Sequence, residues 1–201
     1  MEKNTFQIPG TNIKVGGRLG SFIAEGFLGS VLSPIFSLGS GLLLSQITHI
    51  ADNLTKETIQ NWVKRNYVDP PRKGRFYDEN QVARILIFNA LRRVLELDDI
   101  KLLLQAIRDA SGGTLAEKEL LELFNTSVIK TSQIASGDLA GYEKTIGKEL
   151  ALSLEKKGGD RDKIKTVIYI MLTAYQSSLL KQQVENLLYE LKASGQSNHT
   201  K

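Results

Sequence analysis

Six basic side chains, Lys56, Lys64, Arg65, Arg72, Lys73 and Arg75, fall between Thr55 and Arg75, against two acidic ones, Glu57 and Asp69. Outside that stretch the chain holds 20 basic and 20 acidic residues, so its whole net charge of +4 belongs to one short segment. Lysine and arginine in such a cluster suit nucleic-acid phosphates, which position a protein and carry much of its salt-dependent affinity. Interleaved with them are Gln60 and Asn61, whose amides can bond both edge atoms of an adenine, while lysine can reach O6 and N7 of guanine. The chemistry on offer is recognition and not bond-making. The chain has no cysteine and only two histidines, His49 and His199. Glu143, Glu149 and Glu155 miss the three- or four-residue spacing that would pair carboxylates on a helix, and read as solvated. No nucleophile, base and orienting group converge, so neither an enzyme nor a cofactor or metal site is expected.

Local signals place these residues on a helix and a turn. Thr55 is a helix N-cap. The helix it opens, Lys56 to Arg65, turns Ile59, Trp62 and Val63 inward, joined by Leu54, and leaves Lys56, Gln60, Asn61 and Lys64 outward. A preceding helix, Leu42 to Ala51, buries Leu43, Ile47 and Ile50 and breaks at Asp52-Asn53. Pro70-Pro71 forbids continuation of the second helix. The basic turn Arg72-Lys73-Gly74-Arg75 follows, and Phe76-Tyr77 closes it onto the helices. Two short helices of this kind form the helix-turn-helix arrangement, whose second helix enters the major groove of double-stranded DNA.

The flanking sequence supports a helical protein. Residues 1–41 hold eight of the 17 glycines and read as an irregular apolar arm that must be covered. Serines, glycines, Pro34, Gln46 and His49 argue against membrane insertion there. After the stretch, Asp78 caps a helix from Glu79 to Leu95 with Val82, Ile85, Leu86, Leu91 and Val94 inward, and Asp98 caps another from Asp99 to Arg108. Gly112-Gly113 is the expected domain boundary. Beyond it, Thr114 and Glu117 form a capping-box pattern for a helix to about Thr131, and Asp138 caps one running to Lys157. A last helix, Arg161 to about Lys192, carries a broad apolar stripe. The tail from 194 to 201 reads as disordered.

The order of these pieces resembles the winged-helix domain of MerR-type regulators. It runs TIQNW (Thr58 to Trp62), Pro70-Pro71, Gly74, Arg75-Phe76-Tyr77, then LDDIKLLL (Leu97 to Leu104). Within that group it is similar to the bacterial family called domain of unknown function 1836, in which IQNWVKR-like text precedes PPxKG. The resemblance covers about Leu42 to Ile107. It implies a recognition helix at 55–65 and a basic wing at 66–77, with Thr55, Lys56, Gln60, Asn61, Lys64, Arg65, Arg72, Lys73, Arg75 and Tyr77 as DNA contacts. The chain departs from the MerR pattern TIRYYE at Gln60, Asn61 and Val63, and it lacks the cysteines of metal-sensing members.

The expected architecture is therefore all-α: the arm (1–41), a MerR-like winged helix-turn-helix domain (42–110) and an all-helical domain (114–193) for dimerisation or effector binding. The expected function is that of a cytoplasmic, sequence-specific transcription regulator, acting on double-stranded DNA as a homodimer, with a small-molecule or protein effector as an additional partner. The rival reading is a protein-interaction module on the same scaffold with no DNA involved.

Overall fold

A computed structural model of the chain describes residues 5–7, 10, 14–16, 41–51, 53–72, 74–131, 134, 138–154 and 158–197. Most of the glycine-rich arm, Lys73, Glu155 and the last four tail residues lie outside the described residues.

The described residues are mostly helical. Two small antiparallel pairs accompany the helices: β1 (Thr5–Gln7) with β2 (Lys14–Gly16), and β3 (Leu42–Leu43) with β4 (Phe76–Tyr77). The helices are α1 (Leu44–Ile50), α2 (Lys56–Lys64), α3 (Glu79–Leu91), α4 (Leu97–Ala110), α5 (Glu117–Thr131), α6 (Leu139–Ser153) and α7 (Arg161–Ser197). Neither pair was expected. Strands of two or three residues are too short to show alternation in the sequence, and Leu42-Leu43 pairs with Phe76-Tyr77 instead of opening α1.

Helix ends follow the cap chemistry in some places and tertiary partners in others. Thr55 accepts the N–H of Thr58 at 3.2 Å. Asp78 and Gln81 cap each other reciprocally at the start of α3, at 2.9 and 3.0 Å. Asp138 accepts the N–H of Gly141 at 2.9 Å. Asp98, by contrast, is no cap: α4 starts two residues earlier than expected, with Glu96 at its N-cap, and Asp98 accepts the hydroxyl of Tyr67 at 2.9 Å. The pattern at Thr114 and Glu117 fails in the same way. Thr114 donates to the Ser111 carbonyl, Glu117 pairs with Arg84, and Glu119 receives the N–H of Ala116.

The second helix stops before its proline pair. Asn66 takes the left-handed conformation (φ 58°), and the N–H groups of Asn66 and Tyr67 bond the carbonyls of Val63 and Trp62. That is a Schellman termination with asparagine in the position glycine usually holds. Gly112 and Gly113 end α4 similarly, with positive φ and N–H groups on the carbonyls of Asp109 and Arg108.

Buried apolar residues form one contiguous cluster from Leu42 to Tyr175. In it α3 packs on α5 and α7, α4 on α7, and α5 on α6. The glycine pair thus turns the chain without separating two cores. Asp160 donates to the Ala110 carbonyl at 2.7 Å, drawing the start of α7 to the end of α4. At the arm, Gly10 lies so close to α3 that a Cβ would collide with the Leu86 carbonyl, and its own oxygen accepts from Asn89 at 2.8 Å.

Three further expectations are corrected. The third helix ends at Leu91, which leaves Val94 exposed in a turn. Glu149 is 5% exposed and not solvated, because Lys130 of the neighbouring α5 pairs with it. Residues 194–197 continue α7, with the Ser194 hydroxyl on the Leu191 carbonyl. No helix among the described residues is long and apolar enough to cross a membrane.

Candidate nucleic-acid interface

The second helix is held from beneath by aromatic packing. Ile59 and Trp62 are buried, and the Trp62 ring lies 5.7 Å from that of Phe88 on α3. The Arg92 guanidinium also lies over the Trp62 ring, 5.7 Å from its centroid, and donates to the Asn53 carbonyl in the turn between α1 and α2. The indole and the guanidinium thus tie α2 both to α3 and to the turn that precedes it. Trp62 is thus a core residue, as its inward position on the helix led one to expect.

With Ile59 and Trp62 inward, Lys56, Gln60, Asn61 and Lys64 are all exposed. Lys56, Gln60 and Lys64 follow at four-residue spacing and so line one face, with Asn61 beside them. The Thr55 hydroxyl is engaged as the cap of the same helix. One acid joins this surface. Glu57 is held below its usual carboxylate range by backbone N–H and by the Thr55 hydroxyl, and sits in the first turn, where helix N–H groups favour an anion.

At its far end the helix meets a small cationic cluster. Arg65 donates to the Tyr67 hydroxyl at 3.0 Å with its guanidinium 4.9 Å from the ring centroid, and the Lys101 ammonium of α4 lies 5.8 Å from the same centroid. The Asp98 carboxylate that accepts the hydroxyl raises the pKa of Tyr67. Lys101 was missed from the sequence, since it stands 36 positions from Arg65 on a helix with more acidic than basic residues. The Tyr67 ring is the group they share.

The connection from 66 to 77 is tied down by Gln81. Its side-chain amide donates to the carbonyls of Asp69 and Pro70 at 3.2 and 2.7 Å while its oxygen caps α3. Arg72 and Arg75 are exposed beyond this tie. Arg72 reaches Asp78 at 3.5 Å, and Arg75 lies 6.0 Å from the Phe76 ring. Tyr77 is a correction among the candidate contacts. It is 4% exposed, paired with Leu42 across the β3–β4 ribbon, and burial raises its hydroxyl pKa, so its ring faces the core and not a surface partner.

Residues 38–126 match the family model of a domain of unknown function (DUF1836). The DUF1836 match covers somewhat under half of the chain, contains every candidate contact, and supports the family resemblance read from Leu42 to Ile107. It also runs past Gly112-Gly113 and ends within α5, in keeping with a core that continues across the glycine pair. No curated protein and no solved structure matches the chain.

Proposed function

We propose that this protein is a sequence-specific regulator that binds double-stranded DNA through α2 and the 66–77 connection, in the manner of a MerR-like winged helix-turn-helix. The observation that carries the reading is the two-sided character of α2. Its apolar side is anchored on Phe88 through Trp62, and its outward side holds two lysines and two carboxamides with nothing apolar among them. Carboxamides suit adenine edges, and Lys56 and Lys64 suit guanine edges or phosphates. Arg65, Lys101, Arg72 and Arg75 supply phosphate contacts on either side of the helix. Acting as a two-fold pair, the chain would present two such helices to successive major grooves of a palindromic site.

The roles separate by experiment. Lys64→Ala or Arg75→Ala should weaken binding to every duplex and lower the slope of log affinity against log salt by about one unit. Gln60→Ala or Asn61→Ala should leave that slope unchanged and lose about 1–3 kcal/mol of discrimination at one base pair. Binding-site selection followed by salt titration measures both. Equal losses on selected and random DNA for all four variants would overturn the assignment, and wild-type protein that selects no sequence would favour the protein-interaction reading.

A further inference from the structure

The third helix is buried from Gln81 to Leu91 at every residue but Arg84, and in its apolar second half it carries one carboxamide, Asn89. Asparagine is a poor helix former, and a buried amide costs stability unless its polar atoms are bonded. Both ends of this one are. Its Nδ2 donates to the Gly10 carbonyl of the arm at 2.8 Å, and its Oδ1 accepts from Arg92 Nε at 2.9 Å. The same guanidinium donates to the Asn53 carbonyl ahead of α2 at 2.6 Å and lies over the Trp62 ring. A continuous line of hydrogen bonds thus runs from the arm to the turn and the buried ring that seat α2.

Gly10 stands between β1 and β2 in the chain, and its lack of a side chain is what permits the contact. Its φ is 74°, in the left-handed region, and a Cβ there would strike the Leu86 carbonyl. The arm is therefore held here by backbone fitted closely against α3. This point lies at an opening and not in the sealed core: a cavity of about 30 Å³ is lined by Gly10, Asn89 and Arg92 and by Tyr175 and Ser178 of α7. At such a place water competes with the Gly10–Asn89 bond, so the contact can form and release.

We propose that the N-terminal arm positions α2 through Asn89 and Arg92, so that the docking of Gly10 on α3 and the seating of Trp62 are coupled. With Gly10 docked, its carbonyl turns the Asn89 amide so that the oxygen meets Arg92, and Arg92 in that pose reaches both Asn53 and the Trp62 ring. Withdrawing Gly10 removes the acceptor that sets this orientation. Asn89 and Arg92 are then positioning residues. Neither belongs to the outward face of α2, yet Lys56, Gln60, Asn61 and Lys64 are carried on the helix that they seat. The use of that face on DNA rests on the function proposed above, whereas the coupling is read from Trp62 without DNA, so either conclusion can fail alone.

Trp62 is the only tryptophan of the chain, so fluorescence reports on this ring alone. In the full chain, Gly10→Val should shift its emission to longer wavelength and raise its quenching by acrylamide. Asn89→Leu, which keeps the volume of the side chain and removes both of its bonds, should give a shift of the same sign, and Gly10→Val should add nothing to it. An arm that only stabilises the fold would give shifts that add. Coupling is reciprocal, so Arg92→Leu, with cooperative thermal unfolding retained, should loosen the arm and speed tryptic cleavage after Lys14 several-fold. That measurement carries the test if Gly10→Val does not fold. Unchanged Trp62 emission in Gly10→Val, additive shifts in the double variant, or cleavage after Lys14 at the wild-type rate in Arg92→Leu would each overturn the proposal.

Discussion

The outward side of α2 and the distal half of α7 are both exposed, and they differ in what they expose. The outward side of α2 is lysine, glutamine and asparagine, which water satisfies without any partner. The distal half of α7 exposes leucine, valine and tyrosine, which water does not satisfy. Exposure alone therefore has no functional meaning. At α7 the composition argues for an occupant by itself, whereas at α2 the argument depends on geometry: an unusually firm apolar anchor beneath a face made of groups suited to bases and phosphates.

The largest test of this contrast lies beneath the two faces. Trp62→Ala should lower unfolding free energy by about 3–5 kcal/mol, because it removes the ring that packs on Phe88 and carries Arg92. In dilute protein, Leu187→Ala should change it by no more than about 0.5 kcal/mol, as for a surface substitution. Urea titration measures both. A Leu187→Ala loss as large as that of Trp62→Ala would mean that α7 is covered to its end within one chain, and the comparison would collapse.

A smaller effect tests charge in place of apolar surface. Lys130→Met leaves the buried Glu149 carboxylate without its cation and should cost about 1–3 kcal/mol in the same titration. Lys192→Met, on the exposed half of α7, should be close to neutral in dilute protein. Equal effects would show that the Lys130–Glu149 pair is solvated.

The smallest effect is one of pH. Burial raises the pKa of Glu122 above the ordinary 4.5, outweighing the opposing charge of Lys118. At neutral pH the folded protein thus bears the full cost of ionising a partly buried carboxyl. That cost falls as pH drops through the raised value, and vanishes below the unfolded one. Glu122→Gln should therefore raise the urea midpoint more at pH 7 than near pH 4. A gain independent of pH would assign its effect to shape and not to ionisation.

What could be read in the sequence was what local chemistry decides. Thr55, Asp78 and Asp138 cap helices because each finds its backbone partner three residues on, and Ile59 and Trp62 are inward because a helix repeats every 3.6 residues. Three of the failures share one cause, competition from distant residues. Asp98 had the form of a cap and went to Tyr67, Glu117 went to Arg84, and Glu149 found Lys130 on another helix. Within the candidate interface, the row on α2 was legible from spacing, whereas the place of Lys101 beside Arg65 depends on a tyrosine between them. Tyr77 closes the turn onto the helices as its sequence position suggested, but its place among the contacts fails, because the ribbon that pairs it with Leu42 has no periodic signature.

The bond from Asp160 to Ala110 joins residues on either side of the point where the family match ends. It also brings α7 along α4, and Tyr175 of α7 packs edge-on against Phe124 at 6.0 Å. The matched segment thus shares its core with the helices that follow it. A gene fragment stopping at residue 126 would encode all the candidate contacts and yet strip Phe124 of its covering ring. Such a fragment would leave the inward faces of α4 and α5, which α6 and α7 cover in the whole chain, open to water.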